Sequence, residues 1–99
     1  MNKNINGYIP SPKFCNVSEL PAGITGIVEK LAENIHEVWA KQKMDEGWTY
    51  GEALNWDTKR HPSLKPYADL PESQKTYDRN TALATLGFIM DEGYHIVIR

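Results

Sequence analysis

Three side chains that could bind a ligand share one edge of the segment from Lys30 to Gly51. They are His36, Trp39 and Lys43, which follow one another at intervals of three and four residues. This spacing places side chains on the same side of an α-helix. An indole flanked by an imidazole and an ammonium group suits stacking on a planar, anionic ligand such as a nucleotide. The alternative is that Trp39 is the rim of the hydrophobic core and contacts no ligand.

Two more polar side chains, Asp78 and Asn80, lie near the start of a second predicted helix. The chain around them is polar, although it becomes apolar from Ala82 onward. Two interpretations are open. Either Arg79 pairs with a carboxylate at the surface, or Asp78 and Asn80 offer hydrogen bonds to a ligand or a partner.

The histidines and carboxylates do not form a complete catalytic motif. His36-Glu37 begins like the zinc-protease motif HExxH, but Ala40 stands where the second histidine ligand is required. Glu33 and His36 have the Glu-x-x-His spacing of a di-iron bundle, whose second pair and further glutamates are absent. We therefore expect a non-enzymatic protein with no catalytic residue, metal site or cofactor.

Composition restricts the partners and the compartment. The chain has 99 residues, 40% of them hydrophobic, which suits one domain over residues 1–99, with residues 1–7 as a flexible tail. A net charge of −2 provides no basic field for nucleic acid or an anionic membrane surface. The single Cys15 and the lack of an apolar run of ~20 residues predict a cytoplasmic protein.

Hydrophobic periodicity predicts a mainly helical α+β fold. Helices are expected over about residues 21–46 and 72–92, each ended by a glycine, Gly47 and Gly93. A long ordered loop and short strands at about 48–50 and 94–98, paired with each other, complete the prediction. The centre of the buried stripe of the first helix is predicted at four positions, with Trp39 at its edge: Ile24, Leu31, Ile35 and Gln42.

Several short motifs occur in a fixed order over most of the chain. They are Leu31-Ala32-Glu33-Asn34, His36, Val38-Trp39-Ala40, Gly47-Trp48-Thr49-Tyr50-Gly51, His61-Pro62, Pro66-Tyr67, Leu70-Pro71-Glu72-Ser73 and Tyr77-Asp78-Arg79-Asn80-Thr81-Ala82. Together they resemble the ryanodine-receptor repeat, from about Tyr8 to Ile98. The sequence departs from that pattern at Gly23 and Gly26, where helix formers are usual, and at residues 54–56, which are usually more polar and acidic.

The resemblance implies a binding or interaction module. In that family the repeats occur in pairs inside giant calcium-release channels, and as single free-standing copies in bacteria and phages. A pair forms a clamp with a tryptophan-lined cleft that holds an adenine nucleotide, so a single copy is expected to homodimerise with two Trp39 rings face to face. The ligand-binding residues would then be His36, Trp39, Lys43, Asp78 and Asn80. The alternative is a protein-interaction or structural adaptor with no small ligand.

Overall fold

Two long helices packed against each other form most of the fold. The computed structural model describes residues 7–21 and 26–99. The regular elements in this part of the chain are α1 (Ile27–Asp45), β1 (Thr49–Tyr50), β2 (Arg60–His61) and α2 (Glu72–Asp91), with short 3-10 turns at Val17–Glu19 and Tyr67–Asp69. The predicted mainly helical fold of two packed helices is confirmed. In the described ranges, no helix is long and apolar enough to cross a membrane.

Glycines mark three of the helix boundaries. Gly47 and Gly93, just beyond α1 and α2, end the helices as predicted, with φ angles of +94° and +97° in the left-handed region that glycine adopts readily. The predicted start at residue 21 is wrong, because Pro21 is not helical and α1 begins at Ile27 after Gly26. Glycine is unfavourable inside a helix but tolerated at its N-cap, so the helix begins after Gly26. Residues 22–25, and the predicted tail apart from Gly7, lie outside the described residues.

The buried face of α1 is rotated from its predicted position. Its buried residues recur every four positions: Val28, Ala32, His36 and Ala40. Leu31 and Ile35 are only partly buried, Gln42 is exposed, and Ile24 lies outside the described residues. A hydrophobicity pattern gives most weight to large apolar side chains, whereas the centre of this face holds two alanines and a histidine.

The strands pair differently from the prediction. β1 lies where a strand was expected, but it pairs in parallel with β2, with Thr49 opposite Arg60 and Tyr50 opposite His61. The predicted strand at residues 94–98 is wrong, since this segment has no regular structure. β-Branched residues favour a strand only where a partner is available, and the Thr49 N–H already donates to the carbonyl of Lys59 at 2.9 Å.

A tight double turn lets two parallel strands be joined by only nine residues. The Asn55 side-chain oxygen accepts hydrogen bonds from the backbone N–H groups of Asp57 and Thr58, both at 3.0 Å. Lys59 then adopts a φ of +56°, and Arg60, the first residue of β2, forms an antiparallel bridge with Asn55. These local bonds replace the long crossover that parallel strands ordinarily need.

The N-terminal segment crosses α2 at Gly87. The Cys15 N–H lies 3.4 Å from the carbonyl oxygen of Leu83, and Cys15 is buried in a cluster with Leu20, Val28, Ala82 and Leu86. A Cβ atom added at Gly87 would stand 2.5 Å from backbone atoms of Phe14 and Cys15. The close approach of the two backbones therefore requires a glycine.

We expect Gly87→Ala to lower the free energy of unfolding by about 1–3 kcal/mol, the usual effect of overpacking, although alanine is the better helix former. Urea unfolding measures the change. Thr85→Ala is the matched control, because it also places an alanine in α2 but at an exposed position, where changes stay within about 0.5 kcal/mol. Equal stability of the two variants would contradict the close crossing.

An ion-pair network joins the N-terminal turns of the two helices. Arg79 donates to both carboxylate oxygens of Glu29, at 2.8 and 3.0 Å, and to Glu72 at 2.8 Å. The Tyr67 hydroxyl donates to the same Glu29 carboxylate at 2.7 Å. The bonds from Arg79, and then from Tyr67, lower the pKa of Glu29 to about 2. Burial, and then the bond to Glu29, raise the pKa of Tyr67 to about 12.

We expect the Glu29 interaction to stabilise the fold fully above pH 4.5, the ordinary carboxyl value, and to be lost as the pH falls towards 2. Because the Glu29 side chain is 53% exposed, the effect should stay within about 1 kcal/mol. Chemical unfolding at pH 6, 4 and 2.5 measures it. Glu29→Gln should flatten this part of the pH dependence, whereas Glu37→Gln, an exposed change on the same helix, should not. An identical profile for Glu29→Gln would contradict the assignment.

Candidate functional site

A groove of about 200 Å³ opens between α1, the chain after β2, and the first turns of α2. Four of its side chains carry aromatic rings, two are polar and uncharged, one is aliphatic and one is a carboxylic acid. The lining residues are His36, Trp39, His61, Ser63, Leu70, Gln74, Tyr77 and Asp78. Among the described residues, neither lysine nor arginine belongs to this lining, so its carboxylic acid is not neutralised there by either side chain.

His36 anchors one side of the groove. Its side chain is 4% exposed, so it lies on the buried face of α1. The ring nitrogen Nε2 lies 2.7 Å from the carbonyl oxygen of Lys65. A carbonyl only accepts, so Nε2 carries the hydrogen and donates it. In the neutral ring Nδ1 is then an acceptor, and it lies 4.0 Å from the Asp78 carboxylate. His36 thus ties α1 to the loop and reaches the groove with its other nitrogen.

The Trp39 indole is held between two imidazoles. It stacks on His36 with a centroid distance of 5.6 Å and an interplanar angle of 28°. The ring of His61 meets it edge-on at 4.9 Å. Both contacts fall in the range of favourable aromatic pairs. Trp39 is partly buried, as predicted, and its orientation is fixed by the packing.

His61 and Ser63 shape the loop side of the groove. The backbone N–H of Ser63 donates to Nδ1 of His61 at 3.0 Å. Burial, and then the nearby Lys43 ammonium, lower the pKa of His61, which favours the neutral ring with its hydrogen on Nε2. The Ser63 hydroxyl donates to the side-chain oxygen of Gln74 at 2.7 Å, which leaves the amide nitrogen of Gln74 as a donor.

Asp78 is the acidic group of the groove. Its side chain is 20% exposed. Burial raises the pKa of Asp78, and the positive charge that His36 can carry opposes that increase. Over residues 7–21 and 26–99, no hydrogen bond from another side chain reaches its carboxylate, and the nearest basic atom is Nδ1 of His36. A partly desolvated carboxylate without donors favours a ligand that brings its own N–H groups.

The family of this chain follows from its match to a family model. The RyR domain model matches residues 8–98. The chain belongs to the RyR domain family. This match covers α1, both strands, α2 and every residue that lines the groove. The RyR domain is a non-catalytic repeat family. The predicted resemblance is therefore confirmed, and the groove of this RyR domain is formed by residues within the matched range.

The RyR domain brings three of the five predicted site residues together. His36, Trp39 and Asp78 line the groove, whereas Lys43 and Asn80 do not. The Lys43 ammonium lies 5.4 Å from the centroid of the Trp48 ring. Asn80 is exposed. It follows Asp78 by two positions, which corresponds to about 200° around the helix axis, so it points away from the side of α2 that carries Asp78. The roles of Lys43 and Asn80 in ligand binding stay predictions.

Both interpretations of the polar start of α2 have a structural counterpart. Arg79 pairs with Glu29 and Glu72, as the first interpretation expected. Its neighbour Asp78 lies on another side of the helix and faces the groove. The ion pair and the groove therefore use different faces of the same turns.

Sequence reasoning missed five lining residues: His61, Ser63, Leu70, Gln74 and Tyr77. Two of them could have been found, because Gln74, Tyr77 and Asp78 have the i, i+3, i+4 spacing that places side chains on one helix face. The others belong to the loop, whose approach to α1 depends on long-range contacts. Among the described residues, no group of three or more His, Cys, Asp or Glu side chains is arranged to hold a metal ion.

We expect His36→Phe to lower the free energy of unfolding by about 1–3 kcal/mol. Phenylalanine keeps the stacking on Trp39 but leaves the Lys65 carbonyl without its donor, which is the cost of an unsatisfied buried acceptor. Thermal and urea unfolding measure the change. Asn34→Ala, at an exposed position of the same helix, should change stability by less than about 0.5 kcal/mol. A His36→Phe protein as stable as the wild type would show that the bond to the loop is dispensable.

Proposed function

We propose that this RyR domain is a non-enzymatic module that binds a purine nucleotide or a related small ligand, with the planar heterocycle in the groove beside Trp39. The observation that carries this proposal is a lining that combines aromatic walls with one partly exposed carboxylate and, among the described residues, contains no lysine or arginine. Rings provide apolar contact area, and the carboxylate provides a polar group that orients the ligand. Typical ligand sites combine these two features.

The groove volume favours a base over a whole nucleotide. A cavity of about 150 Å³ takes up benzene, and sites for complete drug-sized ligands have about 300–1,000 Å³. A groove of about 200 Å³ therefore accommodates a ring system and leaves a sugar and phosphates outside. The Tyr77 ring, 74% exposed at the groove edge, offers a further surface for stacking.

The phosphates would lie outside the groove, near Lys43. This lysine is one helical turn beyond Trp39. Its positive charge contributes to lowering the pKa of His61, which lies in the groove wall. His36 has one nitrogen bonded to Lys65 and the other facing Asp78. We therefore assign His36 to the base and Lys43 to the phosphates.

Titration with ATP and GTP, followed by calorimetry, tests the proposal. Trp39→Leu retains an apolar side chain against the core but removes the aromatic ring. Stacking of a base on an aromatic residue contributes about 1–3 kcal/mol, so the affinity should fall roughly 5–150-fold. Trp56→Leu is the matched control, since this indole is 72% exposed and lies outside the groove. Circular dichroism verifies that both variants are folded.

Two results would contradict the proposal. The first is a wild-type protein that binds neither nucleotide at millimolar concentration. The second is a Trp39→Leu variant that is folded and binds as tightly as the wild type. Recovery of the unchanged nucleotide after prolonged incubation would support binding without turnover.

A further prediction separates the base from the phosphates. Lys43→Gln should weaken binding of a nucleoside triphosphate several-fold, because it removes a charge near the phosphates, but should leave binding of the nucleoside unchanged. Lys41→Gln removes the same charge from the exposed side of α1, where Lys41 pairs with Asp45 at 2.9 Å. If the two variants weaken binding equally, Lys43 has no specific contact with the phosphates, and only the total charge of the helix matters.

The second candidate function is a protein-interaction adaptor, which exposed apolar residues favour. Phe88 and Ile89 on α2, together with Tyr94, Val97 and Ile98 after it, are among the exposed large apolar side chains. Exposed apolar side chains mark interaction sites where they form a contiguous patch. The proposed homodimer, with two Trp39 grooves facing each other, belongs to the first candidate. Light scattering measures the molar mass with and without nucleotide. A ligand-dependent dimer changes its mass when nucleotide is added, whereas an adaptor that binds no nucleotide does not.

A further inference from the structure

We infer that Asp78 selects the edge of the bound base, so that its ionised carboxylate makes the groove prefer a guanine-type edge with two adjacent N–H donors over an adenine edge. Resting on the proposed function, this inference specifies which purine the groove takes. It runs against the adenine nucleotide expected from the resemblance. Three observations support it.

The first observation is the position of the carboxylate. Asp78 lines the groove and retains 20% exposure, so a ligand can reach it. Within the described part of the chain, its oxygens receive no side-chain hydrogen bond, and His36 Nδ1 stays 4.0 Å away. Burial already raises the pKa of Asp78. A ligand that donates two hydrogen bonds would offset this desolvation of the charged form.

The second observation is the hydrogen-bonding pattern that an ionised carboxylate presents. Its two oxygens only accept. The guanine edge offers an N–H and an adjacent amino group, so both oxygens can be satisfied by charge-assisted bonds. The adenine edge offers one amino group beside a ring nitrogen with a lone pair. That lone pair would face a carboxylate oxygen, so adenine makes one bond where guanine makes two.

The third observation is the neighbouring donor. Gln74 precedes Asp78 by four residues on α2, so the two side chains are adjacent on one helix face. The side-chain oxygen of Gln74 accepts from Ser63 at 2.7 Å, and its amide nitrogen remains a donor. A donor beside an acceptor matches guanine, whose carbonyl oxygen lies next to its N–H groups. The groove thus offers up to three bonds to guanine.

Binding of guanosine, inosine and adenosine to the wild-type protein tests this inference. Nucleosides exclude the phosphates, and inosine differs from guanosine only by the missing amino group. We expect guanosine to bind about tenfold or more tightly than adenosine, with inosine between them, because each charge-assisted bond contributes to discrimination. Calorimetry or ligand-observed NMR at pH 7 measures the three affinities.

Asp78→Asn should reverse the preference. The asparagine side chain has nearly the same size but pairs one acceptor with one donor, which matches the adenine edge. Adenosine should therefore gain affinity and guanosine should lose it, each by several-fold or more. Asp69→Asn, an equal change of charge at an exposed position outside the groove, should leave the order of affinities unchanged.

The possible results separate the inference from the proposed function. If adenosine binds the wild type more tightly than guanosine, the selection by Asp78 is wrong, while the groove remains a purine site. If Asp78→Asn weakens the binding of all three nucleosides equally, Asp78 has no role in selecting between them. If no purine nucleoside or nucleotide binds, the proposed function fails together with the inference. The comparison of guanosine with inosine needs no variant, so it decides the question even if Asp78→Asn does not fold.

Discussion

The bond from the buried His36 ring to the Lys65 carbonyl is the constraint on which the arrangement of the loop depends. It joins the centre of the buried face of α1 to a segment that lies 29 residues away in the chain. On either side of this bond, Leu64 and Tyr67 are buried, in two separate hydrophobic clusters with Ala40 and Ala32. The loop is thereby held along two turns of α1. Because His61 and Ser63 precede the bond and Leu70 follows it, the loop side of the groove is held in place by the same contact.

The charge of the groove follows from how its neighbours use their basic groups. Arg79 bonds to Glu29 and Glu72, Lys43 lies over the Trp48 ring, and the Lys75 ammonium lies 5.6 Å from the centroid of Tyr67. Each cation is stabilised outside the groove, where it also keeps contact with water. Among the described residues, Asp78 is therefore the carboxylate of the groove lining, and no lysine or arginine lines the groove beside it. An edge that seemed cationic in the sequence becomes an aromatic and acidic site in the fold.

The sequence predicted what depends on local physics. Both helices, the glycines that end them and the strand at Thr49–Tyr50 follow from periodicity, backbone conformation and residue type. Trp39 and Asp78 were predicted as site residues from their types and their positions on helices, and both line the groove. The pairing of β1 with β2 could not be predicted, because it depends on the turn at Asn55 and on Lys59 with its positive φ. His36 was misplaced for a similar reason, since a polar ring is buried only when a distant carbonyl accepts its hydrogen.

The N-terminal segment and the groove use different lengths of α2. Gly87, where the segment crosses, lies nine residues beyond Asp78, roughly 13 Å along the helix axis. Sites separated by more than about 7–10 Å without shared partners contribute almost independently to stability. The first turns of α2 thus line the groove, while the later turns hold the N-terminal segment. A substitution at one end of the helix can change the groove without loosening the packing at the other end. The side chains that line the groove are therefore free to diverge while the folding of the module stays the same.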